Sequence, residues 1–84
     1  MNEAGIERRA APRYRVLKSG MLAFSGGGGI DCMVRNISSR GARLDVAAPI
    51  GLPASFTLVI ETDRFMRRCR AVWNSEKRIG VAFD

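Results

Sequence analysis

From position 14 to the end of the chain, apolar and polar residues alternate with a period of two, interrupted by turn signals. Such alternation is typical of strands with one buried face, and no segment shows the period of about 3.6 residues that marks an amphipathic helix. Six such segments predict an all-β fold, a six-stranded antiparallel barrel. Closing the sheet into a barrel also removes the open edges through which a small β protein aggregates.

The strand bounds follow from the positions at which apolar residues recur. The predicted strands are residues 14–24, 30–37, 41–46, 55–61, 65–73 and 79–83. We expect a bend in the first of them at Ser19 and Gly20, because glycine inside a strand often marks a kink. The residues expected to face the barrel interior are Cys32, Val34, Ala42, Leu44, Val46, Phe56, Leu58, Ile60, Ile79, Val81 and Phe83.

The length of 84 residues is enough for one domain. Residues 1–13 are polar and charged and include Pro12, so we interpret them as a flexible N-terminal tail, with the barrel over residues 14–84. No apolar stretch approaches the roughly 20 residues that cross a bilayer, and the N-terminus has no apolar signal-peptide core. We therefore expect a cytoplasmic protein without membrane insertion.

The charged residues are unbalanced in number and in type. There are 14 basic and 8 acidic residues, a net charge of +6, and 12 of the basic residues are arginine. The planar guanidinium binds phosphate and stacks on flat rings, so this composition favours a phosphorylated, aromatic or nucleic-acid partner. Histidine is absent, and no paired carboxylate or activated nucleophile is evident, which argues against an enzyme.

Two cysteines and one tryptophan are the other chemically distinctive residues. Cys32 and Cys69 stand far apart and match no metal-ligand spacing, so no metal site is predicted. We expect both to be buried, unreactive thiols, with a disulfide as the alternative. Trp73 is expected to pack in the core or at a barrel end rather than to form a stacking platform.

Two short motifs stand at either side of the first two strands. Their residues are Arg9 and Arg13, spaced as Arg-x-x-x-Arg, and Asn36, Ser38 and Gly41, spaced as Asn-x-Ser-x-x-Gly. The first motif lies in the N-terminal segment, and the second lies at the turn between the predicted second and third strands. Either motif alone is common by chance, whereas their order and spacing within a six-strand pattern are specific.

Together these motifs resemble the signature of the PilZ domain, a bacterial receptor family for cyclic di-GMP. The resemblance runs from Glu7 to Phe83. It implies a stand-alone signalling receptor with cyclic di-GMP as its ligand, no other cofactor, and an unidentified effector protein as its partner. The ligand-binding residues that it implies are Arg8, Arg9, Arg13, Asn36, Ser38 and Gly41.

The chemistry of these side chains suits such a ligand. A guanidinium can pair with a phosphate, bind the O6/N7 edge of guanine or stack on a purine. Asn36 can donate and accept against a base edge, Ser38 can bond a ligand oxygen, and Gly41 is expected to permit an approach that a Cβ would forbid. Arg40 and Arg43 flank the turn and add positive potential. The alternative is a plain turn that satisfies its own backbone, beside a solvated tail.

Two other functions stay open. A PilZ-like module can act through protein contacts alone, although the intact motifs count against this. A small barrel for single-stranded nucleic acid fits the net charge, but such barrels expose several aromatic residues, which here are few and mostly on the inward register. The receptor hypothesis requires Arg13 and Asn36 to lie on the same side of the protein.

Overall fold

The strands of the protein follow the alternating segments of the sequence closely. The structure is a computed structural model that describes residues 12–49 and 51–84. Its strands are β1 (Tyr14–Ala23), β2 (Gly29–Ile37), β3 (Gly41–Val46), β4 (Ser55–Ile60), β5 (Phe65–Ser75) and β6 (Arg78–Phe83). A single 3-10 turn (Glu61–Asp63) joins β4 to β5. The predicted all-β class is confirmed, with β5 extending two residues beyond its predicted end.

The six strands form a closed antiparallel barrel in the order β1-β2-β3-β6-β5-β4. Closure occurs where β1 pairs with β4, from Met21 opposite Val59 to Ala23 opposite Thr57. The predicted barrel architecture is therefore confirmed, whereas residues 1–11 of the predicted tail lie outside the described residues. Within the described ranges, no helix is both long enough and apolar enough to span a membrane.

The core fills the barrel with side chains from the inward positions of the strands. Every residue predicted to face inward is buried or packs against the buried cluster, and Leu22 of β1 joins them. Fully burying one leucine, isoleucine or phenylalanine side chain stabilises the folded chain by about 1.5–3 kcal/mol. The largest fully buried side chains are Phe56, Leu22, Leu44, Leu58, Ile60, Ile79, Val34 and Cys69.

Both cysteines are free and buried, as predicted. Burial raises the pKa of the Cys32 thiol to about 11, and burial likewise raises the pKa of the Cys69 thiol to about 11. The thiolate is the reactive form of cysteine. Both groups therefore stay protonated and unreactive near neutral pH.

The bend predicted at Ser19 and Gly20 is wrong in position. The register of β1 against β2 shifts between Arg15 and Lys18 instead. Gly20 serves packing, because a Cβ there would lie 3.0 Å from the carbonyl oxygen of Val59 and 3.3 Å from the sulfur of Cys32. Glycine here marks a close approach of neighbouring chain rather than a kink.

Candidate ligand-binding site

A row of residues from five strands lies across the outer face of the barrel. This cross-strand row consists of Trp73 on β5, Gly80 on β6, Arg43 on β3, Asn36 on β2 and Arg15 on β1, each paired with the next. Residues directly opposite one another in antiparallel strands share one face of the sheet. The two neighbours of Gly80 along β6 are buried in the core, so Gly80 and the rest of the row face outward.

Irregularities in β2 and β5 turn two members of the row outward. The pairing of β2 with β3 shifts between Val34 and Asn36, and that of β5 with β6 shifts between Ala71 and Trp73. An extra residue in one strand moves the following side chains to the opposite face. Without these shifts, Asn36 would follow Val34 into the interior and Trp73 would follow Ala71.

A cleft of about 280 Å³ lies along this row. Three arginines, Arg13, Arg40 and Arg43, line the cleft, and no carboxylate is among its lining residues in the described part of the chain. Trp73 forms part of its wall and is 45% exposed. Arginines without a neighbouring acid favour an anion, and an accessible indole ring favours a flat ring system.

The turn between β2 and β3, residues 38–41, forms one wall of the cleft. The Ser38 hydroxyl accepts hydrogen bonds from the backbone N–H groups of Arg40 at 3.1 Å and Gly41 at 3.3 Å. The Ser38 N–H in turn donates to the Gly41 carbonyl at 2.9 Å. Ser38 therefore holds the turn in shape, the role that the plain-turn alternative gave it.

Removing the Ser38 hydroxyl is expected to loosen this turn. Ser38→Ala should lower the free energy of unfolding by about 1 kcal/mol, because two backbone donors lose their acceptor. Ser39→Ala is the matched control, since Ser39 is exposed. Urea unfolding of both variants checks the prediction. Equal stability of the two variants would show that water replaces the hydroxyl at no cost.

Gly41 is where the sequence predicted a close approach, and the structure confirms it. A Cβ on Gly41 would overlap the carbonyl oxygen of Val81, on the neighbouring strand β6. The φ angle of Gly41 is not positive, so space rather than backbone conformation requires glycine at this position.

The structure gathers the described members of the two motifs at one place. Arg13, Asn36, Ser38 and Gly41 all line the cleft. Tyr14 pairs with Ile37, so the chain enters β1 beside the turn at residues 38–41. Arg8 and Arg9 lie outside the described residues. The requirement that Arg13 and Asn36 share one side of the protein is met.

Two lining residues were missed by sequence reasoning. Trp73 was expected to be core or barrel-end packing, and this was wrong because the irregularity after Ala71 turns the ring outward over Gly80. Arg43 was expected only to flank the turn, whereas it lines the cleft beside Asn36. For Arg43, its alternation with Leu44 and the short turn before β3 gave a usable signal.

Comparison with known families agrees with this geometry. A family model described as the PilZ domain matches residues 7–84. The chain belongs to the PilZ domain family. PilZ domains are known to bind cyclic di-GMP, and the match includes both motifs and all six strands of the barrel. A comparison with curated proteins found no match.

Proposed function

We propose that this PilZ domain is a receptor for cyclic di-GMP and that its cleft is the binding site. One observation carries the proposal: Arg13 and the turn at residues 38–41 line a single cleft that holds three arginines and no carboxylate among the described residues. The ligand supplies two phosphodiester charges and two guanine rings. An arginine-lined cleft with an accessible indole matches both features.

Each part of the cleft has a role that its chemistry allows. Arg13 and Arg40 can pair with phosphate oxygens, and such charge-assisted hydrogen bonds are roughly twice as strong as neutral ones. The Asn36 amide can meet the edge of a base. Trp73 can stack on a guanine, an interaction that contributes about 1–3 kcal/mol per base.

Arg8 and Arg9 complete the site in this proposal. An extended chain rises about 3.3 Å per residue, so Arg9 reaches ~13 Å from Arg13 and can cover a ligand in the cleft. Ordering this segment costs about 1–2 kcal/mol of backbone entropy per residue. Only a ligand that forms several charge-assisted bonds offsets that cost, which makes the closed state dependent on the ligand.

The closed state would present a surface that the free protein lacks. Tyr14 and Val72 are exposed and stand beside Arg13 and Trp73, which line the cleft. An effector protein that contacts this surface together with the closed segment would respond to the nucleotide. The proposal therefore assigns the domain to bacterial second-messenger signalling as an adaptor without catalytic activity.

Calorimetry with cyclic di-GMP tests the proposal. The wild-type protein is expected to bind with micromolar or tighter affinity, and Arg13→Ala should weaken binding about tenfold or more, since hydrogen bonds to charged groups contribute about 1.5–3 kcal/mol. Arg68→Ala is the control, because Arg68 is exposed on β5 and does not line the cleft. An absence of heat at high protein concentration would remove the proposal and favour a module that acts through protein contacts alone.

A further inference from the structure

Arg43 occupies the centre of the cross-strand row and carries a donor without an acceptor. Its side chain is partly buried, and its Nε is shielded from solvent yet makes no hydrogen bond to any residue in the described ranges. Burying a polar group without a partner destabilises the folded state. Such groups persist where a ligand satisfies them, and this one belongs to a residue that lines the cleft.

Other outward-facing arginines of the barrel are paired. Arg35 donates to Asp45 at 2.9 Å, and Arg70 donates to Asp84 at 2.9 Å. Arg43 has no such carboxylate partner among the described residues, although Asp45 stands only two positions further along β3. The unmatched donor therefore distinguishes Arg43 from the arginines that form surface ion pairs.

The neighbours of Arg43 indicate what the missing acceptor is. On one side, Gly80 has no side chain, so the space between Arg43 and the indole of Trp73 is open to a flat ring. On the other side stands Asn36, whose amide both donates and accepts. A base stacked on Trp73 in this row turns one polar edge toward Arg43 and Asn36.

We propose that Arg43 recognises the O6/N7 edge of one guanine and is the residue that selects guanine over adenine. This inference rests on the proposed function. Guanine presents two acceptors, O6 and N7, to the guanidinium, whereas adenine presents a donor at N6 in place of O6. The Nε–H and a terminal N–H of Arg43 form the fork that matches the guanine edge, which a lysine cannot reproduce.

The test measures selectivity as well as affinity. Cyclic di-GMP and cyclic di-AMP are titrated in competition into the wild-type protein, Arg43→Lys and Arg43→Met. Both variants are expected to lose about 5- to 150-fold in affinity for cyclic di-GMP, the discrimination typical of one bidentate arginine–guanine pair. Affinity for cyclic di-AMP should change little, so that the ratio of the two affinities falls.

Controls separate recognition from folding. Arg68→Met, on exposed β5, should keep the wild-type ratio. Thermal unfolding of Arg43→Met should give a melting temperature equal to or above that of wild type, because the variant removes an unsatisfied buried donor. An equal loss for both dinucleotides, or no loss, overturns the role of Arg43 alone. A wild-type protein that binds neither dinucleotide contradicts the proposed function itself and this role with it.

Discussion

Gly41→Ala is expected to lower the free energy of unfolding by about 3 kcal/mol, the upper part of the usual range for overpacking. The new Cβ would overlap the Val81 carbonyl oxygen, which is backbone and cannot rotate away. Relief requires β3 and β6 to separate where Gly41 lies opposite Ala82. A small domain is stable by only about 5–15 kcal/mol, so the loss is a large fraction of the total.

Gly26→Ala is the matched control for this substitution. A Cβ on Gly26 meets no atom within 4 Å, and its φ angle is not in the positive range, so stability should stay near that of wild type. Guanidinium unfolding of the two variants measures the difference. Equal midpoints would show that the β3–β6 pair adjusts at no cost, and the packing role of Gly41 would then be wrong.

The strands were predictable because a two-residue period identifies a half-buried strand directly. β3 begins and ends where the alternation of Leu44 and Val46 with polar neighbours predicted. The register irregularities were not predictable, since they depend on how two chains fit together rather than on one segment. The shift near Gly20 was misplaced for this reason, because the glycine answers to Val59 across the sheet.

The same distinction applies to the candidate site. The motif residues Ser38 and Gly41 were visible in the sequence, and in the structure they shape the turn through local hydrogen bonds and a close contact. Trp73 and Arg43 reach the cleft only through pairing across β6 and β3. A linear motif therefore identified the framework of the cleft, while part of its binding surface follows from barrel register alone.

The position of Trp73 leads to the second large expected effect. Gly80→Ala places a Cβ against the Trp73 indole, overlapping its Nε1, Cε2 and Cδ1 atoms. Here the obstructed group is a side chain that can swing outward, so the free energy of unfolding should fall by only about 1 kcal/mol. The stacking wall is lost, and affinity for cyclic di-GMP should fall about 5- to 150-fold, equivalent to the 1–3 kcal/mol of one stacked base.

A double-mutant cycle shows whether Gly80 acts through Trp73. If Gly80→Ala only displaces the indole, adding it to Trp73→Ala should cause no further loss of affinity, because neighbouring residues that share one interaction are not additive. Calorimetry on the two single variants and the double variant gives the coupling directly. Additive losses would mean that Gly80 contacts the ligand itself. Unchanged affinity in Trp73→Ala would mean that no base stacks on the indole, and the ligand would then have to lie against the arginines alone.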